Sequence, residues 1–253
     1  MPTYIARLST ARFRRSVHHV LLAAATLLGA GSLFPWHRVA AQMPAARLSV
    51  MAEPNTYAEL WQAAATAVDE GEFERNESVR TALYAKATAY ARRAVALNPG
   101  DAEGHFQLSR ALGRTALALG PRERVKYGIE VREHALSALK VAPKHPGALH
   151  VMGVWNAEIM RLNGFSRAVA KAFLGGQVFG TASWSEAVRY LELAVQIEPE
   201  RLVHRLDLAR IYRDMGRTDE ARGAYKAALA SVNADANDAV YRQHAGEELR
   251  RLK

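Results

Sequence analysis

The sequence predicts an all-α protein, a right-handed solenoid of helical hairpins closed by a C-terminal capping helix. Three observations carry this. From Asn55 onward there are no alternating β-branched runs, while Ala, Leu, Arg and Glu recur at helical spacing. Three segments end alike, AYARRAVALNP (89–99), EHALSALKVAP (133–143) and YLELAVQIEP (190–199). Each closes with Pro a few residues after a small-residue helix, where a chain leaves a helix. Counting back five from each Pro gives Ala94, Ala138 and Ala194, and counting back twelve gives Ala87, Val131 and Ala187. Small side chains at those two places let paired helices approach closely.

The elements follow in order. Tyr57–Glu70 and Val79–Leu97 form a first pair, joined by the polar GEFERNE (71–77). Ala102–Leu119 and Val125–Val141 form a second, and a third begins at Pro146 with ALHVMGVWNAEIM. The clearest unit runs from about Leu202 to Asn233, with Leu208, Ala209 and Tyr212 on its first helix. Gly216 marks its turn, and Ala221, Tyr225 and Ala228 lie on its second helix. That is near a full repeat of about 34 residues. A polar helix, Asp238–Leu252, has the charged outer face of a solenoid cap. This is the tetratricopeptide (TPR) pattern, in about four helix pairs over 55–253. The terminal prolines stand 44 and then 56 residues apart, so two units carry insertions, the longer at 161–184.

Residues 1–41 read as a signal peptide, followed by a linker over 42–54. Arg7, Arg12, Arg14 and Arg15 precede a 15-residue apolar run, Val20 to Phe34, and Val39-Ala40-Ala41 supplies small residues for cleavage after Ala41. As a helix that run rises about 22 Å, short of the roughly 30 Å hydrocarbon core. The expectation is export to a bacterial periplasm or the cell exterior, with anchoring to the inner membrane as the alternative. The leader holds five of the 34 Lys and Arg and none of the 25 Asp and Glu. The remainder is therefore close to charge balance, and a nucleic-acid partner is not expected. The absence of Cys excludes disulfides, thiol catalysis and Cys-ligated metals.

The most specific segments are K126-x2-I129-x3-E133-H134, H150-x-M152-G153-x-W155, and the insert A170-K171-x-F173-L174-G175 leading to F179-G180. In this order they resemble the TPR domain of the regulator of microtubule dynamics family, over about Leu60 to Ala230. The resemblance implies a non-enzymatic helical-repeat protein associated with microtubules, or with membranes through separate N-terminal segments. It also implies lipid binding of the kind ascribed to such domains at membrane contacts.

Chemistry-bearing patterns are few. None of His105, His134, His145, His150, His204 and His244 stands at a metal-ligand spacing, and no nucleophile constellation or phosphate loop is present. The reading is a non-enzyme without cofactor or metal. TPR superhelices bind along a concave face lined by first-helix residues. Repeat positions two, five, nine and twelve give Glu103, Phe106, Arg110 and Gly113; then Gly147, His150, Val154 and Ala157; then Val203, Leu206, Arg210 and Arg213. An apolar surface with convergent Arg suits an extended peptide or an amphiphile with an anionic group. Position six holds Gln107, Val151 and Asp207, so the Asn or Arg of a carboxylate clamp is missing. In the insert, Phe165, Val169, Ala172 and Phe173 share one helical face, with Arg167 and Lys171 on the other side. That face packs, plugs the groove or meets an anionic membrane. The leading expectation is a scaffold holding a protein or peptide segment; the alternative is a module binding an anionic lipid or amphiphile at a membrane surface.

Overall fold

A computed structural model describes residues 53–119, 121–162, 178–232 and 235–253. Among them are nine α-helices and no strand: α1 Tyr57–Glu72, α2 Glu77–Leu97, α3 Ala102–Ala118, α4 Pro121–Val141, α5 Pro146–Arg161, α6 Trp184–Ile197, α7 Leu202–Asp214, α8 Thr218–Ala230 and α9 Asp238–Arg251. A short 3₁₀ turn, Phe179–Thr181, precedes α6.

Local chemistry starts these helices where they start. Thr56 and Glu59 form a reciprocal capping box at α1. Asn76 accepts from Ser78 N and Val79 N, so α2 begins two residues before the expected Val79. Asp101 and Ser183 cap α3 and α6 in the same way. Pro121 opens α4 earlier than the expected Val125, since Pro is well placed in a first turn. Helix α7 ends on Gly216, the one described residue with positive φ (73°). There Gly216 N donates to Arg213 O and Arg217 N to Tyr212 O, which satisfies the final carbonyls.

Packing is by hairpin. Helix α1 lies on α2, α3 on α4, α5 on α6 and α7 on α8, and the first helices of successive hairpins touch in turn. The alanine positions predicted from the prolines form the seams. Ala87, Ala94, Ala138, Ala187 and Ala194 are 0% exposed, as are Ala221 and Ala228 of the fourth unit. One core gathers Leu60, Leu108, Leu112, Trp155 and Phe179, and a second gathers Leu191, Leu202, Leu206, Ile211 and Tyr225.

The cap does more than cover the last hairpin. Helix α9 packs on α7 and α8, and its Tyr241 ring meets Phe73 edge-on, 5.2 Å between centroids. Asn237 Nδ2 donates to Asp69 O at 3.3 Å. The beginning and end of the repeat array are thus in contact. No helix among the described residues is long and apolar enough to cross a membrane.

Candidate binding cavity

The first helices α3, α5 and α7 deliver side chains to one cavity of about 500 Å³. Phe106, Val151, Val154, Trp155, Ile159 and Leu162 give it an apolar wall. Gly147 is needed there, because a Cβ would fall 2.3 Å from the Phe106 ring, which lies across the start of α5. Trp155 is held by its indole N–H, which donates to Gly128 O at 2.7 Å.

Charged side chains make up much of the remaining lining, and each charge described here has a partner. Arg110 pairs with Asp69, and Arg114 pairs with Glu72 at 2.7 Å. His145 caps α5 through Nδ1, which accepts from Ala148 N, while its Nε2 meets Glu103 at 3.1 Å. Burial would raise the Glu103 carboxyl, but the hydrogen bonds from His145 and Gln107 outweigh it and hold it low. His150 Nε2 lies 3.2 Å from Asp207 Oδ2. Burial would likewise raise Asp207, but His150, Arg210 and Arg114 keep it well below the usual carboxylate range. His204 Nδ1 lies 2.9 Å from His150 Nδ1, and its Nε2 meets Glu198 at 3.2 Å. Burial, against the Glu198 bond, pushes the His204 imidazole down to about 4.

Of the residues expected to line a groove, Phe106, Arg110, His150 and Val154 come together here, with Glu103, Gly113, Gly147 and Val203. Leu206 does not; it is 0% exposed, inside the second core. The stripe of α7 that faces the cavity is Val203 and Asp207, while Leu202, Leu206 and Ala209 form the neighbouring stripe that faces inward. Arg210 and Arg213 line an adjoining cavity of about 250 Å³, where both donate to Glu248 of α9. They are occupied by the cap and do not converge on an empty site. Phe165, Arg167, Lys171 and Phe173 lie outside the described residues.

Sequence reasoning missed Asp207, Gln107 and Val151 as lining residues, although all three border the cavity. They stand at position six, where a clamp residue is the only signal that spacing offers, and none of them is one. It also missed Tyr241, which enters the lining from α9, and the pairing of His150 with His204, 54 residues away.

A profile described as regulator of microtubule dynamics protein 1-3 matches residues 46–253. The chain belongs to that family. Among its relatives, regulator of microtubule dynamics protein 1 of Bos taurus is 24% identical over 141 residues, 55% of this chain and 44% of the relative. Regulator of microtubule dynamics protein 3 of Mus musculus is 25% identical over 189 residues, 73% of this chain and 39% of the relative. The match spans less than half the length of these relatives. A thermophilic TPR protein of Thermus thermophilus shares the fold, with a TM-score of 0.54 at 23% identity, covering 77% of this chain and 84% of its own.

In this regulator of microtubule dynamics family member, described residues of the segments that first suggested the family are packed in the interior. Met152 and Trp155 are buried in the first core, and Gly153 lies against Leu191 and the Ala187 carbonyl. Phe179 sits under Trp155 with ring centroids 6.1 Å apart, close to Gly128. His134 stacks on His105. Of these residues, Trp155 lines the cavity, together with Gly128 and His150.

Proposed function

We propose that this helical-repeat scaffold binds an extended protein segment in the cavity between α3, α5 and α7, without catalysis. One observation carries the reading: three successive first helices converge on a single cavity of ligand size, lined by both apolar side chains and hydrogen-bonding groups. An anionic amphiphile is favoured less. The arginines proposed for its headgroup, Arg210 and Arg213, are engaged by Glu248. The described lining of the main cavity also carries six carboxylates against four guanidiniums. A microtubule role belongs to the names of longer relatives, and its transfer to this chain is a separate proposal that a tubulin co-sedimentation assay would test.

Selection of displayed peptides against the chain tests the binding reading. Val154→Trp, which fills the cavity, should weaken the selected peptides at least tenfold, about 1.4 kcal/mol. Peptides that bind Val154→Trp as well as wild type would remove the cavity from the reading. Solvent extraction and mass spectrometry of the purified protein decides the amphiphile alternative.

We propose also that residues 1–41 direct export to the periplasm or cell exterior, with cleavage after Ala41. The basic, apolar and small-residue succession supports this. N-terminal sequencing of the protein from its host should begin at Gln42; a retained Met1 in a membrane fraction would mean an inner-membrane anchor.

A further inference from the structure

Four titratable side chains form a chain across the seam between the third and fourth hairpins. Asp207 Oδ2 meets His150 Nε2 at 3.2 Å, His150 Nδ1 meets His204 Nδ1 at 2.9 Å, and His204 Nε2 meets Glu198 Oε2 at 3.2 Å. Two first helices, α5 and α7, and the turn before α7 are joined by it.

Proton counting decides what this chain requires. An ionised carboxylate only accepts, so each Nε2 must carry a hydrogen. The two Nδ1 atoms face each other and need one hydrogen between them. Three hydrogens on two imidazoles is one more than two neutral rings hold. With only two, one link sets a nitrogen lone pair against a carboxylate or against the other nitrogen.

We propose that Asp207–His150–His204–Glu198 is a proton-operated clamp, closed when the pair of imidazoles binds a third proton and opened at one link when that proton leaves. The third proton sits on His150, facing Asp207, and His204 stays neutral with its hydrogen on Nε2. The depressed basicity of the buried His204 agrees with this assignment.

The surroundings bias the chain from several elements. Arg210 of α7 donates to Asp207 at 2.9 Å and Arg114 of α3 acts on it through space, so this carboxylate stays ionised. Arg201, itself paired with Asp235, acts on both His204 and Glu198. His145 acts on Glu198, and Tyr241 of α9 interacts with Asp207. Glu248 of α9 holds the far side of Arg210. Helix α4 meets α5 through Gly128 with Trp155, through Arg132 over the Trp155 ring and through Arg124, 3.7 Å from Glu158, and α6 meets it through Leu191 with Gly153.

Two other histidine contacts supply internal contrasts. His105 Nε2 faces the Pro99 carbonyl and its Nδ1 faces His134 Nδ1, so two neutral rings satisfy that pair. His145 accepts through Nδ1 and donates through Nε2, so one neutral tautomer satisfies it.

The test is ¹H–¹⁵N spectroscopy of imidazole nitrogens in the ¹⁵N-histidine-labelled full chain, from about pH 5 to 9, around the ordinary histidine range. Near pH 6 the His150–His204 pair should show three ring hydrogens, falling to two as the pH rises. In Glu198→Gln the new amide N–H can donate to His204 Nε2, so two neutral rings complete the chain. The third proton should then bind about tenfold more weakly, a midpoint about one unit lower. Glu198 has a side chain 44% exposed, so the variant keeps the fold. Two ring hydrogens on the wild-type pair near pH 6, or an unmoved midpoint in Glu198→Gln, would overturn the clamp.

Discussion

His204 shows how a single buried side chain sets a pH dependence. It is 3% exposed, and burial above all lowers its basicity, to about 4 against an ordinary value near 6.5. The unfolded chain takes up this proton as pH falls through about 6.5, whereas the folded chain resists until about 4. Stability is therefore present above 6.5 and is lost as pH falls across that window, by an amount on the order of 2 kcal/mol. Urea unfolding at pH 7 and pH 4.5 checks this; His204→Gln should lose less stability between those two conditions than wild type. Equal losses would mean that other groups carry the acid sensitivity. Gly153 makes a second residue-scale case. A Cβ there would lie 2.6 Å from Leu191 Cγ and 3.2 Å from the Ala187 carbonyl, both in a closed seam. Gly153→Ala should cost about 1–3 kcal/mol by overpacking. Thermal unfolding reads it directly, and an unchanged midpoint would show that the α5–α6 seam yields.

At the scale of the element, the helix seams were legible because their signal is local. Each Pro ends a helix, and the small residues five and twelve positions earlier sit on that same helix, so spacing alone carries the information. Ala221 is the cleanest test of such a seam, being 0% exposed where α8 packs. Ala221→Arg buries a charge without a partner and should destabilise by about 3–5 kcal/mol; retained stability would mean the seam is open. Side-chain register on α7 was less legible. Leu206 and Asp207 are adjacent, and a shift of about 100° in the assumed helical phase exchanges their faces. The partners of the cavity residues were not legible at all. His150 finds His204, and Glu103 finds His145, across 54 and 42 residues, and no periodicity encodes such a match.

For the whole molecule, the contact between α9 and the end of α1 distinguishes this array from an open stack. Its polar composition suggested a cap with an outward charged face, yet Tyr241 and Glu248 turn inward onto Phe73 and onto Arg210 with Arg213. Phe73→Ala should uncouple the two ends, lowering stability by about 3 kcal/mol at most, because Phe73 is only partly buried. Hydrogen exchange should then quicken in α9 before it does in α4. Exchange that quickens uniformly would show that the ends are not a separate contact. The central claim is that α3, α5 and α7 together hold a partner segment. Amide shift mapping of the chain with a selected peptide tests it most directly. Shifts centred on Phe106, Val151, Val154 and Asp207, from three hairpins at once, are the predicted result. Shifts confined to one hairpin, or to the second helices α2, α6 and α8, would contradict it.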